Sequence, residues 1–136
     1  MPVPALWRDV LTKFRAAGLN AVSIYTHWGL VEPSRGQISF TGINALKPFF
    51  ELCMELGLWV VVRPGPYINA ETTAGGIAHW ATSEVPGKLR TNESAWWESW
   101  QGYVKAVIEE TAPYQISEGG PVIGALCLLQ KALDVC

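Results

Sequence analysis

The chain has 136 residues, 49% of them hydrophobic and 16% charged, a composition that suits one folded domain and excludes disordered and fibrous classes. Ten basic residues against twelve acidic ones give a net charge of -2 without any basic run, so neither nucleic acid nor an anionic membrane surface is an expected partner. No stretch approaches the roughly 18 to 20 apolar residues of a membrane-spanning helix, and Met1-Pro2-Val3-Pro4 does not open a signal peptide.

Leu6, Val10, Leu11 and Phe14 follow helical spacing and predict a first helix over residues 5–17, with Gly18 placed as its C-terminal cap. Residues 19–25, Leu-Asn-Ala-Val-Ser-Ile-Tyr, read as a strand buried by neighbours on both faces. The loop that follows holds His27, Trp28 and Glu32-Pro33. Trp28, with Trp80 further on, offers a flat apolar face that could stack on a ring, whereas Glu32 suits a loop anchor.

A second apolar stripe, Ile43, Leu46, Phe49, Phe50, Cys53, Met54 and Leu56, predicts a second helix that ends at Gly57. The strand Leu58 to Val62 comes next, so Gly18-Leu19 and Gly57-Leu58 occupy equivalent places. Trp59 within this strand reads as core. Past the strand, Arg63-Pro64-Gly65-Pro66-Tyr67-Ile68-Asn69-Ala70-Glu71 and Gly75-Gly76 form a loop whose two prolines fix the backbone while its polar side chains point in set directions.

Asn92-Glu93-Ser94 is an N-glycosylation sequon, meaningful in a secreted protein, although such triplets also arise by chance. A third helix is expected from Ser94 to Thr111, its apolar side built of Trp97, Trp100, Val104, Val107 and Ile108. After Gly119-Gly120-Pro121 a third strand begins at Val122.

Helix and strand alternating at this spacing predict an α/β fold with parallel strands. No phosphate-binding glycine motif follows a strand, which favours a barrel over a nucleotide-binding open sheet and leaves no cofactor to expect. Three βα units make an incomplete (β/α)8 TIM barrel, whose unpaired edges should seek pairing or reduce solubility.

Three cysteines, Cys53, Cys127 and Cys136, match neither a zinc site nor a redox pair, and Cys53 reads as a core filler. His27 and His79 have no partners at metal-ligand spacing, so no metal is expected. If the strands are parallel, Tyr25 and the segment Tyr67 to Glu71 lie on one rim, where a tyrosine, an amide and a carboxylate can divide the hydroxyls of a sugar among them. Glu71 has a structural alternative, pairing with Arg63 or bonding loop N–H groups.

Taken in order, these segments resemble glycoside hydrolase family 35, the β-galactosidases, and especially its fungal members. The resemblance runs from Pro4-Ala5-Leu6-Trp7-Arg8-Asp9 through Gly18-Leu19-Asn20-Ala21-Val22, Tyr25, Trp28, Glu32-Pro33 and Gly57-Leu58, and is densest over Arg63 to Glu71. It continues through Gly75-Gly76, Trp80, Leu89-Arg90-Thr91 and Gly119 to Ile123.

The resemblance implies that residues 1–123 are part of a (β/α)8 catalytic barrel that removes terminal β-linked galactose, with Tyr25, Asn69, Ala70 and Glu71 as substrate contacts. Galactose-terminated oligo- or polysaccharides would be the partners, and an extracellular location would follow. The family's fourth strand runs into Asn-Glu-Tyr, which carries the acid/base. Here residues 124–136 form a divergent tail, and no glutamate follows Glu118. No catalytic residue is therefore expected in this chain, which should be inactive alone. The alternative is a non-catalytic galactose-binding pseudoenzyme.

Overall fold

The computed structural model describes residues 3–126. Residues 127–136 of the expected tail, with Cys127 and Cys136, lie outside the described residues. Helix α1 spans Pro4–Ala16, with its proline in the first turn where the missing N–H is harmless. Strand β1 covers Ala21–Tyr25, and a four-residue turn of helix, α2, follows at Trp28–Val31. Helix α3 (Lys47–Glu55) leads into β2 (Trp59–Arg63). Two further helices, α4 (His79–Glu84) and α5 (Ser94–Thr111), precede β3 (Val122–Ala125).

The three strands are parallel and lie in the order β1-β2-β3. Each crossover therefore steps the same way, as in a winding barrel; an open doubly wound sheet must reverse direction. The equivalence of Gly18 and Gly57 is structural. Both have left-handed backbone (φ 84° and 65°), and the next residue donates to a carbonyl five positions back, Leu19 N–H to Phe14 and Leu58 N–H to Cys53. This closure turns each helix directly into its strand.

One face of the sheet, built from Ile24, Val60, Val62 and Val122, is buried against Leu11 of α1, Phe49, Phe50 and Cys53 of α3, and Tyr103 and Val107 of α5. The alternate residues Ser23, Tyr25, Trp59, Val61 and Arg63 face the other side. Trp59 is 43% exposed rather than core, because helices cover only the even-numbered positions of β2.

Expectations for all three helices shift. On α1 Trp7 and Leu11 are buried, while Leu6 and Phe14 of the expected stripe are exposed, as is Met54 of α3. Ile43 lies in a short 3-10 turn, Gly42–Asn44, ahead of α3 and is exposed. On α5 the buried stripe is Trp96, Trp100, Tyr103, Val107 and Thr111, while Ile108 points to solvent. The anchor of that stripe is polar: Tyr103 Oη donates to the Thr26 carbonyl at 2.9 Å and shares a 2.7 Å hydrogen bond with Thr26 Oγ1. Burial pushes the Tyr103 phenol well above its ordinary range. This bond fixes the roll of α5, which the hydrophobic spacing alone does not define.

Trp28 and Trp80 do not present stacking faces to a ligand. Trp28 is fully buried, with Trp80 edge-on at 5.4 Å and Tyr103 stacked at 5.7 Å. Glu32 accounts for this. Its carboxylate accepts from Trp28 Nε1 and from the Gly36 N–H, both at 2.7 Å, and its carbonyl accepts from Trp80 Nε1 at 3.1 Å. With both indole N–H groups satisfied, the rings can be core. Glu32 is thus the loop anchor that its position before Pro33 suggested.

Candidate sugar-binding rim

Parallel pairing sets Tyr25 of β1 beside Arg63 of β2, each the last residue of its strand. Side chains at paired positions project to the same side, and here they meet. Arg63 Nη1 donates to the Tyr25 hydroxyl at 2.6 Å, and the guanidinium carbon lies 4.9 Å from the centre of the tyrosine ring. The hydroxyl that accepts this bond keeps its own proton to donate outward. Arg63 therefore engages Tyr25 and not Glu71, which is exposed and makes no ion pair among the described residues.

Beyond Arg63 the chain passes through the buried residues Pro64, Gly65 and Pro66 and then closes a tight loop. The N–H groups of Ile68 and Ala70 both donate to the Gly75 carbonyl, at 3.1 and 3.4 Å, and Gly75 N–H donates to Thr72 at 3.0 Å. The glycine pair is required by contact as well as by backbone. Gly75 and Gly76 have φ of 65° and 97°; a Cβ on Gly75 would overlap the Tyr67 ring, and one on Gly76 would stand 2.6 Å from Ile68 Cγ1.

The expected contacts Asn69, Ala70 and Glu71 sit together on this loop. Asn69 has left-handed backbone (φ 54°) and is exposed, as Glu71 is at the loop tip. Tyr67 Oη donates to Asn69 Oδ1 at 2.8 Å, which leaves the Asn69 amino group outside this bond. No hydrogen bond among the described residues joins Tyr25 directly to Asn69 or Glu71. The two halves of the rim are instead tied by His27 Nε2 and Thr72 Oγ1, 3.0 Å apart. Partial burial lowers the His27 pKa below its ordinary value.

Hydroxyl, amide and carboxylate thus line the C-terminal end of the parallel strands, the end where ligands bind in α/β folds. The rim is open. A cavity beside Tyr25, His27 and Asn44 measures about 80 Å3, against the roughly 300 Å3 at which ligand pockets usually begin. A larger apolar cavity, about 260 Å3, lies between α1 and β1; Tyr25 lines it, but Asn69, Ala70 and Glu71 do not. No group of three or more potential metal ligands occurs among the described residues.

The structural alternative for Glu71, a pairing with Arg63, does not form, and the His27–Thr72 contact and the Tyr67–Asn69 bond are not legible from spacing. The legible signal for Arg63 was positional: it ends β2 where Tyr25 ends β1, 38 residues earlier.

The sequence model of "Glycosyl hydrolases family 35" matches residues 1–126. The chain is 45% identical over 120 residues to a probable β-galactosidase B of Aspergillus niger and 44% identical over 124 residues to a probable β-galactosidase C of Sclerotinia sclerotiorum. These alignments cover 88% and 90% of the chain, yet the chain spans only 12% and 13% of those relatives. Among solved structures, a GH5_18 from Bifidobacterium longum subsp. infantis superposes with a TM-score of 0.69 at 15% identity, covering 91% of this chain and 28% of that one. That likeness bears on fold alone, and it agrees with an incomplete (β/α) barrel.

Proposed function

This chain belongs to glycosyl hydrolases family 35, and on that premise we propose that it is one wall of the galactose pocket in the catalytic barrel of a β-galactosidase. The observation that carries the reading is the pairing of Arg63 with Tyr25 beside a rigid loop that presents Asn69, Ala70 and Glu71 on the same rim. Tyr25 Oη and the Asn69 amino group would donate to sugar oxygens, the Glu71 carboxylate would accept from sugar hydroxyls, and the Ala70 backbone would complete the wall. Galactose-terminated oligo- or polysaccharides are the substrates proposed for the barrel to which this wall belongs.

The chain by itself binds without hydrolysing. A retaining glycosidase needs two carboxyl groups roughly 5 to 5.5 Å apart. Glu71 is the one carboxylate on the described rim, it stands in a contact position, and no glutamate follows Glu118. Affinity is weak as well, because one open wall supplies only part of the hydroxyl contacts.

The proposal extends to an extracellular setting in which Asn92 carries a glycan. Supporting this, Asn92 is exposed in the turn before α5, and the turn's side-chain bonds are made by Thr91 and Glu93, leaving Asn92 outside them. Incubation of the 136-residue chain with a chromogenic β-galactoside tests the functional reading. No turnover above the uncatalysed rate is expected, with weak saturable inhibitor-type binding of galactose; steady turnover that survives repurification would refute it.

A further inference from the structure

Tyr67 is held from two sides. The Arg90 guanidinium carbon stands 3.8 Å from the centre of its ring, and Gly75 packs so close to the ring that no side chain fits there. A guanidinium at this distance over an aromatic face is a cation–π contact, and its flat shape suits stacking. The ring's hydroxyl then donates to Asn69 Oδ1.

Arg90 reaches this position at a cost to its backbone. It is one of three non-glycine residues with positive φ (62°) among the described residues, and another is Asn69 at the far end of the same chain of contacts. Left-handed backbone at a residue with a side chain persists only where its surroundings enforce it, and such strain gathers at functional sites. The enforcing turn is evident. Thr91 Oγ1 donates to the Lys88 carbonyl at 2.8 Å, and the Glu93 carboxylate accepts from the Lys88 N–H at 3.2 Å.

We propose that Arg90 is a positioning residue for the sugar rim: it clamps Tyr67 against Gly75, so that Tyr67 fixes the Asn69 amide by its oxygen and leaves its amino group outside that bond. Without the clamp the ring can swing, the amide can rotate, and the rim then offers a mixture of donor and acceptor at one point. The inference rests on the galactose-pocket reading for its purpose, but not for the clamp itself.

Arg90→Gly separates the clamp from the fold, since glycine adopts φ 62° without strain and the turn should keep or gain stability. Tyr67→Phe keeps the stacked ring and removes only the hydroxyl. In the uniformly labelled 136-residue chain, both substitutions should shift the Asn69 side-chain amide signals while leaving the thermal midpoint of Arg90→Gly unchanged or higher. Both should weaken methyl β-D-galactoside binding by roughly three- to tenfold, as for one neutral hydrogen bond, and the double variant should be no weaker than either single one.

Arg90→Lys keeps the charge but not the planar stack, so it should rescue only partly. If Tyr67→Phe moves the Asn69 signals and Arg90→Gly does not, the role assigned to Arg90 is overturned. If Asn69→Ala leaves galactoside affinity unchanged, the pocket reading fails and takes the functional role of the clamp with it, although the amide signals would still report the contact.

Discussion

Arg63 and Tyr25 end neighbouring parallel strands in register, and the 2.6 Å hydrogen bond between them converts a pairing of backbone into a preset of side-chain chemistry. The tyrosine accepts from a cation that cannot lose its proton, so its hydroxyl is committed to donate outward. The arginine is held in turn by the strand, not by a flexible loop.

Tyr25→Phe should therefore weaken galactoside binding by roughly three- to tenfold, the equivalent of one hydrogen bond. The residue is 45% exposed, so denaturation midpoints should barely move, within about 0.5 kcal/mol. Calorimetric titration beside a denaturant series separates the two effects.

Glu32→Ala should destabilise the chain by at least about 2 kcal/mol, because buried Trp28 Nε1 and the Gly36 N–H both lose their acceptor. Glu32→Gln should cost less, since its amide oxygen can still serve the indole. Urea unfolding followed by tryptophan fluorescence checks the order of the two variants.

The pH dependence of stability should carry a signature of His27. Burial lowers its folded-state pKa below the ordinary 6.5, so the native state binds fewer protons than the unfolded state just below that value. Its contribution is complete above pH 6.5 and declines as the pH falls toward the folded pKa. Thermal midpoints between pH 7 and 5 should fall less steeply in His27→Gln than in the parent chain.

The Cys53 thiol is buried and free, and desolvation pushes its pKa up to about 12. It should resist alkylation in the folded chain at pH 8 and react only after denaturation. Peptide mapping by mass spectrometry distinguishes it from Cys127 and Cys136.

Much of the fold was legible because the repeated unit is local. The helix stripes, the glycine caps at 18 and 57 and the strand starts all depend on residues within a few positions of one another. The ends of α1 and β2 differ by one residue, Pro4–Ala16 rather than 5–17 and Trp59–Arg63 rather than 58–62, whereas α3 begins at Lys47 and not at Ile43. What could not be read locally was direction. Adjacent Trp96 and Trp97 look alike in sequence, and it is contacts across the fold, Trp96 on Trp28 and Tyr103 on Thr26, that go with the inward face of Trp96. Trp28 and Trp80 turn inward through a contact that spacing does not show, since both indole N–H groups find their acceptors on Glu32.

The candidate site divides in the same way. Asn69, Ala70 and Glu71 were visible as one short motif, and Tyr25 as a strand end. The contacts that hold them, Arg63 on Tyr25 and Arg90 on Tyr67, join residues 38 and 23 positions apart, and no spacing rule at that range predicts a stacked ring.

A titration of the labelled 136-residue chain with methyl β-D-galactoside, read as residue-by-residue chemical-shift changes, tests the central claim most directly. The account predicts weak, saturable shifts centred on Tyr25, Asn69, Ala70 and Glu71, absent with the corresponding α-mannoside at equal concentration. Shifts confined to residues lining the apolar cavity beside α1, such as Trp7, Val10, Leu11 and Phe14, or no saturable change at Asn69, Ala70 and Glu71, would contradict it.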